Sequence, residues 1–172
     1  MKKVYQRIID PGIGDCMQCV IASLFNMKYE DVPAFITMKD GWFNALYQLS
    51  QSKGYDYEGM LHNRNYNRLW HPTASCFKKE EWHYPQIMTK KKLYKESGVN
   101  GLFYAAVLSP KYFNFNEGKN VTHAVIIDRD YNIVHDPNPG YKNILGYPLR
   151  EILGYNGIID VFLINKLNNE KN

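Results

Sequence analysis

Between Val121 and Ile127 the chain runs Val-Thr-His-Ala-Val-Ile-Ile, the alternation of a strand. Ile133-Val134-His135-Asp136-Pro137 begins a second strand after the polar turn Asp128-Arg129-Asp130-Tyr131-Asn132. The two segments predict a β-hairpin. Leu102–Leu108 and Val161–Ile164 read as further strands. The first third of the chain has another period. Cys16, Cys19, Val20, Ser23 and Leu24 recur at helical spacing and predict a helix over Cys16–Phe25, while Trp42–Gln51 predicts a second helix stopped near Gly54. Val4 to Ile9 reads as a short extended segment, and Ile144 to Gly154 as a short helix. Helices first and strands afterwards predict an α+β domain rather than βαβ alternation, with the first helix packed against an antiparallel sheet.

Composition adds bounds. With 172 residues, 45% of them hydrophobic, the chain can bury a core of its own, so one domain over 1–172 is expected. Residues 61–98 are the least patterned and read as an insertion or variable segment. No apolar run approaches the roughly 20 residues that cross a bilayer, and Met1-Lys2-Lys3-Val4-Tyr5-Gln6-Arg7 carries no apolar signal region. A cytoplasmic protein without a membrane partner is the expectation. Three cysteines, an odd number, argue for reduced thiols rather than a disulfide framework. Richness in Tyr, Asn, Lys and Ile suggests an AT-rich coding genome, compatible with a phage or a low-GC bacterium.

The segment 61–98 tests two binding chemistries. Leu61–His71 and Glu81–Tyr84 interleave basic and aromatic side chains ahead of Lys90-Lys91-Lys92, a composition that can serve a nucleic-acid strand. A net charge of only +4 and a solvated lysine run do not make nucleic acid the expected partner. His62, His71, Cys76 and His83 lie nine, five and seven residues apart, without the paired short spacings of structural zinc. No metal and no cofactor is therefore expected.

Gly14-Asp15-Cys16 places a thiol where a turn becomes an apolar helix. Gly14 suits the turn and Asp15 offers a helix-capping oxygen, so Cys16 falls in the first helical turn, where open N–H groups and the helix dipole favour thiolate. A buried core cysteine is the plainer reading of any such residue. A nucleophilic thiol also needs a base and a group that orients the base. His123 and Asp136 on the hairpin supply both, in the order Cys16, His123, Asp136. His135, next to Asp136 on a strand, points to the opposite face and reads as a surface or packing histidine. Cys16-Met17-Gln18-Cys19 is also a C-x-x-C, the arrangement of a thiol oxidoreductase. That use expects a βαβ unit and leaves His123 and Asp136 without a role; otherwise Cys19 is core.

The cysteine at a helix start, His-Ala-Val-Ile on a strand and His-Asp-Pro-Asn-Pro after it resemble the papain-like cysteine peptidase superfamily, in particular its small members and related bacteriophage proteins. The resemblance covers residues ~5–36 and ~101–164 by pattern, not the middle. It implies a papain-like fold with Cys16 as nucleophile, His123 as general base and Asp136 as orienting residue. Papain-like enzymes stabilise the oxyanion with a glutamine side chain shortly before the cysteine together with the cysteine's own N–H. Here the nearest upstream glutamine is Gln6, and Asp10 occupies the closer spacing. The expected activity is hydrolysis of an acyl bond, as in a peptidase or isopeptidase, through a thioester, with transfer of the acyl group to another acceptor left open by the same constellation. The substrate class is a protein or peptide, which for a phage-encoded chain includes a host protein in the host cytoplasm. The alternative from another class is a non-enzymatic binding or sequestering protein on the same scaffold.

Overall fold

The computed structural model of the protein describes residues 1–10, 12–38, 41–63, 86–89, 93, 98–109, 121–140, 151 and 153–167. Helix α1 (Cys16–Leu24) is followed by 3₁₀ turns at Tyr29–Asp31 and Phe35–Thr37, then by helix α2 (Trp42–Ser52). The strands are β1 (Tyr55–His62), β2 (Gln86–Ile87), β3 (Phe103–Leu108), β4 (Thr122–Ile127), β5 (Ile133–His135) and β6 (Ile158–Lys166), with a 3₁₀ turn at Tyr155–Gly157 before the last. They form one sheet in the order β2-β1-β6-β3-β4-β5. Every neighbouring pair is antiparallel except β1 with β2 at the edge. The class is α+β, with one parallel pair that the sequence does not announce.

Cys19, Val20, Ile21 and Ala22 are all fully buried, so α1 is apolar on nearly every side, as a helix covered on several sides must be. It lies on β4 and β3 and touches both 3₁₀ turns. Gln18 ties it there, its Nε2 donating to the carbonyls of Tyr29 (3.1 Å) and Val32 (3.0 Å). The helix stops where Asn26 takes the left-handed φ of 55° and the Met27 N–H turns back to the Ala22 carbonyl at 2.8 Å. Helix α2 packs on β1, burying Leu46 and Ser50 and leaving Tyr47 exposed. It ends before Gly54, at φ 79°, as the spacing predicts.

Both faces of the sheet are covered. Tyr104, Ala106, Ala124, Ile126 and Phe162 pack under α1 and α2, whereas Phe103, Ala105, Val107, Val125 and Val161 form a second core on the opposite side. All six residues of β3 are buried in consequence, which is why Leu102–Leu108 reads as a continuous apolar run rather than an alternating one. At 1.5–3 kcal/mol or so for each fully buried aliphatic side chain, these two layers are the main support of the fold.

Several expectations need correction. Strand β1 is absent from the sequence-based reading, although Tyr55-Asp56-Tyr57-Glu58 alternates; the bulge between Tyr57 and Gly59 interrupts the period. Strand β6 is longer than Val161–Ile164. Val4–Ile9, expected as a short extended segment, lies outside the sheet as a strap, in which the Val4 N–H donates to Ser23 Oγ (2.8 Å) and the Gln6 N–H to the Pro137 carbonyl (2.9 Å). Of residues 61–98, Leu61 and His62 close β1 and pair with Gln86 and Ile87 of β2. Cys76, His71, His83, the run Lys90-Lys91-Lys92 and nearly all of the Ile144–Gly154 helix lie outside the described residues. Among the described residues no helix is long and apolar enough to cross a membrane.

Candidate functional site

The loop before α1 is built to hold the start of that helix. Asp10 Oδ1 accepts from the N–H groups of Gly12 (2.7 Å) and Ile13 (3.2 Å). A Cβ on Gly14 would come within 2.5 Å of the Asp10 carbonyl oxygen, so the chain passes here only as glycine. Asp15 stands at the N-cap position, yet its side chain makes no capping hydrogen bond, contrary to the sequence reading. Its buried carboxylate reaches away from the helix, accepting from the Arg7 N–H (3.1 Å), the Ile8 N–H (3.2 Å) and the Tyr29 hydroxyl (2.9 Å). Those contacts pin the strap and the following turn on either side of Cys16. They also leave the carboxylate off the first-turn N–H groups, the donors closest to the thiol.

Cys16 is partly exposed at the first position of α1 and packs against the core under the helices. His123, near the start of β4, is 6% exposed. Its Nε2 bonds Asp136 Oδ1 at 2.7 Å, and the same oxygen accepts from the Asn138 N–H at 2.8 Å, which fixes the carboxylate in the turn after β5. Cys16 is a second side chain hydrogen-bonded to the ring. Burial opposes a charged imidazole, but hydrogen bonding to Asp136 and then to Cys16, with the charges of both, prevails and raises His123 to about 9. Cys16, His123 and Asp136, 13 residues apart at the hairpin and far apart along the chain, thus meet in one place.

The neighbouring groups are occupied otherwise. Cys19 is fully buried and pushed up to about 12 by burial first, then by the negative charge of Asp15, so it stays a thiol. His135 is also buried; its Nε2 donates to the Val4 carbonyl at 2.9 Å and the Tyr5 ring meets it edge-on. Burial lowers its affinity for a proton, which makes it a neutral packing histidine. Gln6 lies beside Pro137, the residue after Asp136, but its Nε2 donates to the Ile8 carbonyl at 3.2 Å while its Oε1 is buried without a partner among the described residues. The oxyanion donor expected at Gln6 is therefore engaged within its own strap.

Sequence reasoning passes over a second histidine–aspartate pair. His62 Nδ1 and Asp160 Oδ1 are 2.5 Å apart, on residues 98 apart in the chain that face each other across β1 and β6. Only the register of two strands, one of them unanticipated, brings them together. Among the described residues no group of three or more His, Cys, Asp or Glu could hold a metal ion. No family model, curated protein or solved structure matches the chain.

Proposed function

We propose that the protein is a cysteine-dependent acyl hydrolase of papain-like fold, acting on an amide of a protein or peptide as a peptidase or isopeptidase does. One observation carries the reading: a buried His123 bonds both Asp136 and the partly exposed Cys16. An imidazole that holds its proton up to about pH 9 beside a thiol supports a nucleophile with its proton-transfer partner already in place.

In this reaction the Cys16 sulfur attacks the carbonyl carbon, and the C=O electron pair moves onto oxygen. The Cys16 N–H at the uncapped start of α1 is a donor for that oxygen. As the tetrahedral species collapses, the C–N bond breaks and His123 gives its proton to the leaving amine, leaving a thioester on Cys16. His123, now neutral, takes a proton from water as the water oxygen attacks the thioester. Collapse releases the acid and restores the cysteine. Asp136 keeps the ring in place and stabilises its charged form.

A binding protein on the same scaffold is favoured by one detail, the engagement of the Gln6 amide with Ile8. The electrophile iodoacetamide separates the readings. At pH 7, peptide mapping by mass spectrometry is expected to find Cys16 modified well before Cys19 and Cys76, and Cys19→Ala is expected to keep that reactivity while costing roughly 1–3 kcal/mol of stability. Equal, slow modification of all three cysteines would favour the binder. Loss of Cys16 reactivity in Cys19→Ala would favour a dithiol.

A further inference from the structure

Cys16 stands on α1, whereas His123 and Asp136 stand on β4 and in the turn after β5, and apolar packing of the helix on the sheet holds the two parts together. Such packing sets distance but not direction. A short segment that bonds to both parts supplies the direction. In the strap the Gln6 N–H donates to the carbonyl of Pro137, the residue after Asp136, at 2.9 Å. The N–H groups of Arg7 and Ile8 then donate to the carboxylate of Asp15, the residue before Cys16, at 3.1 and 3.2 Å, and the Asp15 N–H returns to the Ile8 carbonyl at 3.4 Å. Three consecutive residues, a reach of at most about 10 Å, therefore tie the neighbour of Asp136 to the neighbour of Cys16.

The same division recurs at Val4, whose N–H donates to Ser23 Oγ on α1 at 2.8 Å while its carbonyl accepts from His135 Nε2 on β5 at 2.9 Å. The strap is held by its backbone more than by its side chains. Tyr5, Ile8 and Ile9 keep 48%, 43% and 52% of their surface exposed, and Val4 packs against the core only in part. A segment that buries so little can be loosened without emptying the core. Asp15 differs, being buried with three donors on its two oxygens, the third from the Tyr29 hydroxyl. A carboxylate held in this way is fixed in orientation, and the next residue is the first of the helix.

We propose that the strap is the positioning element of the site, in which the Gln6 backbone and the Asp15 carboxylate are the two holds that align the Cys16 thiol with the His123–Asp136 pair. The proposal rests on the acyl-hydrolase reading and concerns residues that touch none of the reacting atoms. With either hold lost, the start of α1 and the turn of Asp136 are free to shift separately, and a displacement of about 1 Å is enough to spoil a hydrogen bond between sulfur and ring. Asp15 makes this role separable from simple electrostatics. Its negative charge is one cause of the raised Cys19 thiol, and by charge alone its removal would speed attack by an adjacent sulfur. As a hold its removal slows that attack, so the two roles have opposite signs.

Gln6→Pro and Gln6→Ala isolate one hold in the full chain, because proline removes the N–H that bonds Pro137 and alanine keeps it. The readouts are the titration midpoint of the His123 imidazole by NMR and the rate of Cys16 alkylation by iodoacetamide at pH 7 by peptide mapping. Gln6→Pro is expected to lower the midpoint by about one pH unit and to slow alkylation about fivefold, the scale of one hydrogen bond. Gln6→Ala is expected to keep the parent's midpoint. Asp15→Asn is expected to slow alkylation by at least about fivefold although it removes a negative charge. Equal midpoints in Gln6→Pro and Gln6→Ala overturn the positioning role, as does faster alkylation in a folded Asp15→Asn protein. Failure of the parent's Cys16 to react ahead of the other cysteines overturns the acyl-hydrolase reading instead, and the midpoints of the two Gln6 variants still decide whether the strap positions the imidazole.

Discussion

Replacing His123 by alanine is expected to slow alkylation of Cys16 by iodoacetamide at pH 7 by ten- to thirtyfold or so, because an unassisted thiol is only a few per cent thiolate there. The imidazole removed is the one bonded to both Cys16 and Asp136. His135→Ala serves as the control, since His135 donates to the Val4 carbonyl and is engaged away from the thiol. Its alkylation rate is expected to stay within about twofold of the parent. Stopped-time alkylation with peptide mapping reads both variants. Identical rates for His123→Ala and the parent would remove His123 from the site.

Stability is expected to fall as pH rises from about 6.5 to above 9, by on the order of 3 kcal/mol from His123 alone. The sign follows from the direction of the change. His123 binds its proton more tightly in the folded protein, at about 9 against an ordinary 6.5, so its contribution is complete below about 6.5 and lost as pH rises through about 9. The size is 1.36 kcal/mol for each pH unit between those two values, and the ring is buried enough that solvent does not screen it away. Urea unfolding of the parent and of His123→Gln across this range measures it. The variant is expected to show a much flatter profile; parallel profiles would mean that the imidazole is not held by Asp136 and Cys16.

What the sequence discloses and what it hides follow from range. The helices are legible because their periodicity and stop signals are local: Cys16–Leu24 ends at Asn26, and Trp42–Ser52 before Gly54. The hairpin of β4 and β5 is equally local, and its histidine and aspartate are drawn together by a short turn. That Cys16 meets them depends on α1 lying across β4, which no pattern within either segment specifies, yet the chemical need of a thiol for a base points to the same residues. The bulge at Gly59 hides β1, and with it the His62–Asp160 pair. Asp15 has the composition of a cap but satisfies three donors outside its helix, a choice decided by where Arg7, Ile8 and Tyr29 fall in space.

The coupling of Cys16, His123 and Asp136 is tested most directly by titrating the imidazole itself. Long-range ¹H–¹⁵N spectra resolve the five histidines of the chain, and His123 is assigned by its loss in His123→Gln. Its midpoint is expected near 9 in the parent and lower in both Cys16→Ala and Asp136→Asn, with the larger fall in the latter because the Asp136 bond ranks first among the contacts that raise it. A midpoint at or below 6.5 in the parent, or one that Cys16→Ala leaves in place, would contradict the coupling of His123 to Cys16 and the hydrolase built on it.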